Sequence, residues 1–72
     1  SVMWMIVQDG SIVGVEFEPK EGDIVREKKY AQPLEVVHVS PYRVVEVRPE
    51  GDPFAPKKWV HTHEIQPYKK ET

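Results

Sequence analysis

Apolar and polar residues alternate with a period of two along most of the chain, and no stretch shows a helical stripe of useful length. The segment from Ile12 to Glu18 shows this best, because one face collects its apolar residues Val13, Val15 and Phe17. An apolar run over residues 3–8 precedes it. Asp9-Gly10, between the two, is the dipeptide that best tolerates the positive φ angles of a tight turn. Residues 3–18 are therefore predicted to form a β-hairpin.

Four more strands are predicted after Pro19. They cover Ile24–Lys29, Leu34–Val39, Tyr42–Arg48 and Lys58–Ile65. Pro41 belongs at an edge, a corner or a bulge, because proline cannot donate to a strand ladder. Short strands with turn signals about every 8–12 residues indicate a sandwich or a barrel, and this chain is too short for a seven-stranded sandwich. We therefore expect an all-β fold, a small barrel of five to six antiparallel strands that carries the N-terminal hairpin.

A chain of 72 residues holds one domain, so residues 1–72 are treated as one unit. Within it we distinguish the hairpin at 3–18, the barrel at 22–68 and a charged tail at 69–72 that is expected to fray. No apolar run is long enough to span a membrane, and there is no cysteine to form a disulfide. These features predict a cytoplasmic protein whose stability comes from its hydrophobic core or from a partner.

Several short runs carry a resemblance to known domains: Gly22 to Arg26, Pro33 to Val37, Val44 to Val47, then Trp59 and Glu64-Ile65. Together they resemble a small SH3-like barrel. The pattern is similar to that of the small YodC-like bacterial domains, and it covers residues 22–68 without the hairpin. The resemblance implies the barrel fold, and it implies no particular activity.

A second likeness concerns Pro41 to Val47, followed by Trp59-Val60-His61. This pattern is similar to the C-terminal barrel of retroelement integrases, which contacts DNA. The tryptophan and glycine that usually precede the Pro-Tyr pair are absent here, and the chain has a net charge of −2. The likeness is treated as a shared barrel pattern, because a common fold does not carry function with it. A small barrel fits a phage or mobile-element accessory protein as well as a host adaptor.

The densest cluster of candidate binding residues lies in the last predicted strand. On one strand, Trp59, His61 and His63 would point to the same face. Trp59 either fills the barrel core or forms a flat apolar binding face, with flanking aromatic residues at Tyr30, Tyr42 and Phe54. Exposed aromatic faces bind peptides, methylated lysines or stacked bases. The first hypothesis is therefore a non-enzymatic interaction module whose partner is a protein.

Trp4 in the hairpin presents the same pair of alternatives. With Met3, Met5 and Ile6 it makes an apolar cluster that a small barrel does not wholly cover. Exposed apolar patches often mark interfaces, and both Met and Trp are enriched there. A partner is therefore expected at the Trp59 cluster or at Trp4. Edge pairing of two hairpins is one route to a homodimer.

Two other hypotheses belong to different classes. Nucleic acid could bind the basic residues of the second half, which are Arg43, Arg48, Lys57, Lys58, Lys69 and Lys70. Acidic residues are interleaved among them, as on an ordinary solvated surface. His61 and His63 are candidate ligands for a divalent metal, which His38 would join only from an adjacent strand. No catalytic motif and no cofactor signature is present, so an enzyme is not expected.

Overall fold

The alternating segments fold into strands, and they do so in two separate sheets. The computed structural model describes residues 2–70, apart from the side chains of residues 2–4, 15 and 16. The strands are β1 (Val2–Gln8), β2 (Ser11–Glu18), β3 (Ile24–Glu27), β4 (Leu34–Val39), β5 (Val44–Pro49), β6 (Lys58–His61) and β7 (Ile65–Pro67). One turn of 3-10 helix, η1 (Thr62–Glu64), separates β6 from β7. The prediction of an all-β fold is confirmed.

The predicted N-terminal hairpin is present as a two-stranded antiparallel sheet of β1 and β2. Asp9 and Gly10 form its turn with φ angles of 51° and 76°, the left-handed conformation that an Asp-Gly pair adopts at low cost. Ile6 lies opposite Gly14 whereas Val7 lies opposite Ile12, so Val13 is the extra residue of a β-bulge. The bulge places Ile12 opposite Val7, a pairing that simple alternation along β2 does not predict.

The other five strands form a second antiparallel sheet in the order β6-β5-β4-β3-β7. Strands β3 to β6 follow one another along the chain and pair in sequence. The last strand returns to the first of them, with Val25 opposite Pro67 and Glu27 opposite Ile65. The first and the last strand of this sheet along the chain, β3 and β7, are therefore neighbours.

The hydrophobic core lies on the inner face of the second sheet. Its buried members are Phe17, Val25, Leu34, Val36, Val45, Val47, Val60 and Ile65. Four valines of β3, β4 and β5 are completely buried. Phe17 comes from β2 and is 4% exposed, so the base of the hairpin is packed into the core of the other sheet.

Three strand boundaries differ by two or more residues from those predicted. The strand predicted for Lys58–Ile65 ends at His61, because the Thr62 N–H donates to the Arg43 carbonyl (2.9 Å) and the buried Thr62 begins η1. Strand β5 begins at Val44 rather than Tyr42, since Arg43 has a φ of 60°. Strand β3 ends at Glu27 rather than Lys29.

The early end of β3 has a local cause in Arg26. Its Nη1 group donates to the carbonyl oxygens of Glu27, Lys28 and Tyr30 at 3.2–3.3 Å, which holds this segment in a turn. The Gln66 amide oxygen, in the orientation that satisfies both side chains, accepts from Arg26 Nη2 at 2.6 Å. One guanidinium therefore ties the loop after β3 to β7.

The tail predicted to fray begins after β7. Lys69 and Lys70 are exposed and belong to no strand, and residues 71–72 lie outside the described part of the chain. Across residues 2–70 the structure contains no helix that is long and apolar enough to cross a membrane.

Val45 and Val44 provide a matched test of this core, because they are neighbours in β5 on opposite faces of the sheet. Val45 is completely buried, whereas Val44 is only half-buried. We expect Val45→Ala to lower the free energy of unfolding by about 2 kcal/mol, through lost apolar contacts and a residual cavity, and Val44→Ala by about 0.5 kcal/mol. Urea denaturation followed by far-UV circular dichroism measures both. Equal losses would contradict the assigned inner face.

Candidate functional site: the outer face around Trp59

The outer face of β4, β5 and β6 carries a half-exposed tryptophan that contacts a histidine ring. The inner positions Val45 and Val60 are paired and buried, so the alternate positions of β5 and β6 point outward. Glu46 lies opposite both His38 and Trp59, and Val44 lies opposite His61. We call this surface the Trp59 face; its members are His38, Val44, Glu46, Trp59 and His61.

Trp59 belongs to this surface and not to the core. Its side chain is 51% exposed, and its ring meets the ring of His38 edge-on, with centroids 5.6 Å apart and an interplanar angle of 74°. Of the two alternatives left open by the sequence, core plug or surface ring, the structure has the second. The indole is thus contacted by a side chain of β4, across the intervening strand β5, while about half of its area stays available for contact.

The two C-terminal histidines are close together, although they do not share a strand. His63 lies in η1, so the prediction that Trp59, His61 and His63 point to one face of one strand is wrong for His63. The turn nevertheless brings its ring to 5.2 Å from that of His61, at an interplanar angle of 27°. Stacking with His63 fixes the ring of His61 at the edge of the Trp59 face.

The histidines do not come together with enough further ligands to suggest a metal site. Within the described residues, no group of three or more His, Asp or Glu side chains is placed to hold an ion. His38, the third histidine, contacts Trp59 rather than the stacked pair. Among the described residues, the fold therefore brings no third metal ligand to His61 and His63.

Tyr42 and Phe54 are both exposed, and they lie in loops at opposite ends of β5. Tyr42, 83% exposed, sits in the turn before β5, where its N–H donates to Ser40 Oγ (3.0 Å). Phe54, 95% exposed, sits in the loop after β5, where its N–H donates to Asp52 Oδ1 (3.3 Å). Exposed aromatic rings therefore occur beyond each end of β5, with Trp59 paired to its middle.

Trp4 is separated from this site. It lies in β1 opposite Glu16, in the other sheet, and its side chain lies outside the described part of the structure. The two tryptophans singled out from the sequence thus lie in strands of two different sheets.

Several of the basic residues proposed to contact nucleic acid have an acidic neighbour. Arg48 Nη2 is 3.9 Å from Glu35 Oε1, and Lys57 Nζ is 3.9 Å from Glu46 Oε1. Lys58 Nζ is paired with Glu27 Oε1. Each acid offsets the charge that would attract a phosphate, so this part of the surface presents mixed charge rather than a basic strip.

The remaining basic residues are distributed over two distant parts of the chain. Arg43 lies in the turn between β4 and β5, where its carbonyl accepts from Thr62. Lys69 and Lys70 follow β7 and line an open groove with Arg26 and Tyr68. The fold does not gather the six predicted basic residues onto one strand or one loop.

Glu46 was missed as a member of the site by reasoning from the sequence. Its alternation with Val45 and Val47 indicates an outward side chain, which is the signal available in the sequence. Its position between His38 and Trp59 depends on the pairing of three strands. That pairing includes a bulge at Val37, between Val36 and His38, which local sequence does not specify.

Comparison with known proteins identifies no relative. The chain matches no protein-family model, no curated protein and no solved structure. The functional argument therefore rests on the geometry of the Trp59 face and of the hairpin.

The surface position of Trp59 predicts a small effect on stability. We expect Trp59→Ala to lower the free energy of unfolding by about 1 kcal/mol, because half of the ring already contacts water. The control is Phe17→Ala, for which the loss should be about 3–5 kcal/mol, since Phe17 is buried in the core. Urea denaturation of both variants measures the difference. A loss at Trp59 as large as that at Phe17 would show that the indole is a core residue.

The paired charges predict weak interaction with nucleic acid. We expect no micromolar binding to short single- or double-stranded DNA or RNA at physiological salt, because acidic groups accompany Arg48, Lys57 and Lys58. Fluorescence anisotropy over a range of salt concentrations tests this expectation. Tight binding that weakens steeply with salt, and that is lost on Lys57→Ala or Lys58→Ala, would instead favour a nucleic-acid interface.

Proposed function

We propose that this chain is a non-enzymatic protein-interaction module that binds its partner through the Trp59 face. The observation that carries the proposal is the half-exposed indole of Trp59, which meets the ring of His38 edge-on on the outer face of the sheet. Tryptophan is strongly enriched among the residues that dominate binding energy at protein interfaces. A ring that the protein itself positions loses little conformational freedom when a partner covers it.

The surroundings of Trp59 suit a protein partner. Glu46 of β5 lies opposite Trp59, and the ammonium group of Lys57 is near its carboxylate. His61 lies further along β6, the strand of Trp59. An apolar centre with polar groups at its margin is the usual composition of such an interface. The carboxylate of Glu46 beside an indole ring also favours a cationic side chain of the partner, through combined charge and cation–π attraction.

We infer that the scaffold beneath this face is a small SH3-like barrel. The return of β7 to pair with β3 supports this inference, as does the core that five strands share. The ion pair between Lys58 of β6 and Glu27 of β3 adds further support, because these strands are not neighbours in the sheet. A sheet must curl for such a pair to form, and curling protects its edges. The Gly22-Asp23 opening belongs to the YodC-like pattern described above.

Site-directed photocrosslinking tests the binding face directly. A photoreactive phenylalanine replaces Tyr42, an exposed residue of the turn that leads into Val44 of the Trp59 face, or Tyr30, an exposed aromatic residue in the loop between β3 and β4. We expect irradiation in host cells to trap a discrete protein adduct from position 42 and none from position 30. Combining the position-42 probe with Trp59→Ala should abolish the adduct, since loss of a dominant tryptophan weakens binding by about thirtyfold or more.

The position-30 probe serves as the matched control for expression and for random collisional crosslinking. A trapped protein that persists in the Trp59→Ala background would contradict the assigned face. Adducts that form equally from both positions would contradict it as well. If the adduct contains nucleic acid rather than protein, the chain belongs to the nucleic-acid class.

A further inference from the structure

The hairpin has one continuous apolar face. The register places Met5 and Val7 of β1 on the same side as Ile12 and Phe17 of β2, because cross-strand partners point to one side of a sheet. Met3 and Val15 occupy the two remaining register positions on this side. Every position on this side is thus apolar; we call it the hairpin face.

Most of the described part of the hairpin face is in contact with solvent. Phe17, at its base, is buried in the core of the second sheet. Towards the tip, Met5 is 64% exposed, Val7 60% and Ile12 63%. The face therefore begins as part of the hydrophobic core and continues outward as an uncovered apolar surface.

The overall dimensions show that the chain exposes more surface than a compact monomer of its mass. The solvent-accessible area is 5412 Å² for a chain of 8.4 kDa, and the usual relation between mass and area gives about 4,600 Å² for a folded monomer of this mass. The excess is about 800 Å², which is the area that each partner buries in a protein interface of standard size. The Cα radius of gyration, 12.9 Å, likewise exceeds the value of about 11 Å for a compact chain of this length.

We propose that the hairpin face is covered by the hairpin face of a second copy of this chain, in a two-fold symmetric dimer. The excess area fits such a partner, since two copies that each bury about 800 Å² form one standard interface. In this dimer the exposed apolar end of one copy's hydrophobic core packs against the same region of the second copy. This interface is separate from the Trp59 face and does not rest on the function proposed for it.

The charge pattern also fits self-association. A two-fold axis packs one surface patch against its own copy, so a charge near the axis would meet the same charge of the partner, and a charge elsewhere would need an opposite charge within the same patch. Asp9, in the turn, is the only charged residue between Val2 and Val15. Glu18 belongs to the other face of the hairpin, because it lies opposite Val2 and alternates with Phe17. Two hairpin faces therefore meet without bringing like charges together.

Two experiments test the proposal. One measures the molar mass in solution, and the other introduces lysine on one or the other face of the hairpin. We expect the full chain, at micromolar concentration, to have twice the 8.4 kDa mass of one copy by size-exclusion chromatography with light scattering. Val7→Lys and Ile12→Lys should each raise the dimer dissociation constant by about a hundredfold or more, since each would bury an uncompensated charge. The matched control is Gln8→Lys, an exposed neighbour on the opposite face, which should remain dimeric.

Circular dichroism melts of all variants check that the second sheet stays folded, which is expected because Val7 and Ile12 lie outside its core. A wild-type chain that is monomeric at these concentrations would overturn the proposal. A dimer that survives Val7→Lys and Ile12→Lys, or one that Gln8→Lys disrupts equally, would place the interface elsewhere. Photocrosslinking at position 42 reports on the Trp59 face independently of these outcomes.

Discussion

The interior of the second sheet is small, and valine side chains fill it. Val25, Val36, Val45 and Val47 are completely buried and come from three adjacent strands, with Leu34, Val60, Ile65 and Phe17 closing the remaining space. Branched side chains of this size pack well on a pleated surface. A chain of this length encloses only a small core, and Phe17 is the one aromatic residue among its buried members in the described part of the chain. The location of both candidate interfaces follows from that limit.

Trp59 illustrates the first consequence. In β6 either Trp59 and His61 or Val60 can point inward, and Val60 takes the inner position opposite Val45. The indole is consequently placed on the outer face, where His38 contacts it from β4.

The second consequence concerns the hairpin. Phe17 is the residue of β2 that the core accommodates, and Met5, Val7 and Ile12 remain outside. The same shortage of interior space thus produces two apolar surfaces on one small protein.

Much of the fold could be predicted from the sequence because the deciding interactions are local. The Asp9-Gly10 turn and the alternation of its flanking residues were sufficient to predict the hairpin, and β4 has the predicted bounds of Leu34 to Val39. The bulge at Val13 and the end of β6 at His61 were not predictable in this way. They depend on cross-strand register and on the hydrogen bond from Thr62 to Arg43, which joins residues far apart in the chain.

The candidate site shows the same division. The aromatic residues Tyr42 and Phe54 were identified from their residue type, whereas the choice between core and surface for Trp59 depended on the space available inside the sheet. The pairing of Lys57 and Lys58 with acids, which disfavours a basic strip, required knowledge of which strands meet. The chemical character of each candidate residue could therefore be predicted from the sequence. Which of these residues lie close together depended on the pairing of strands that are distant in the chain.

The central claim is that valines fill the core and leave Trp59 ordered at the surface. Fluorescence of the Trp4→Phe variant tests it most directly, because Trp59 is then the sole tryptophan of the chain. We expect red-shifted emission and efficient acrylamide quenching from a protein that still unfolds cooperatively in urea. Blue-shifted emission that acrylamide hardly quenches, in the same cooperatively folded variant, would place Trp59 in the core and contradict this account.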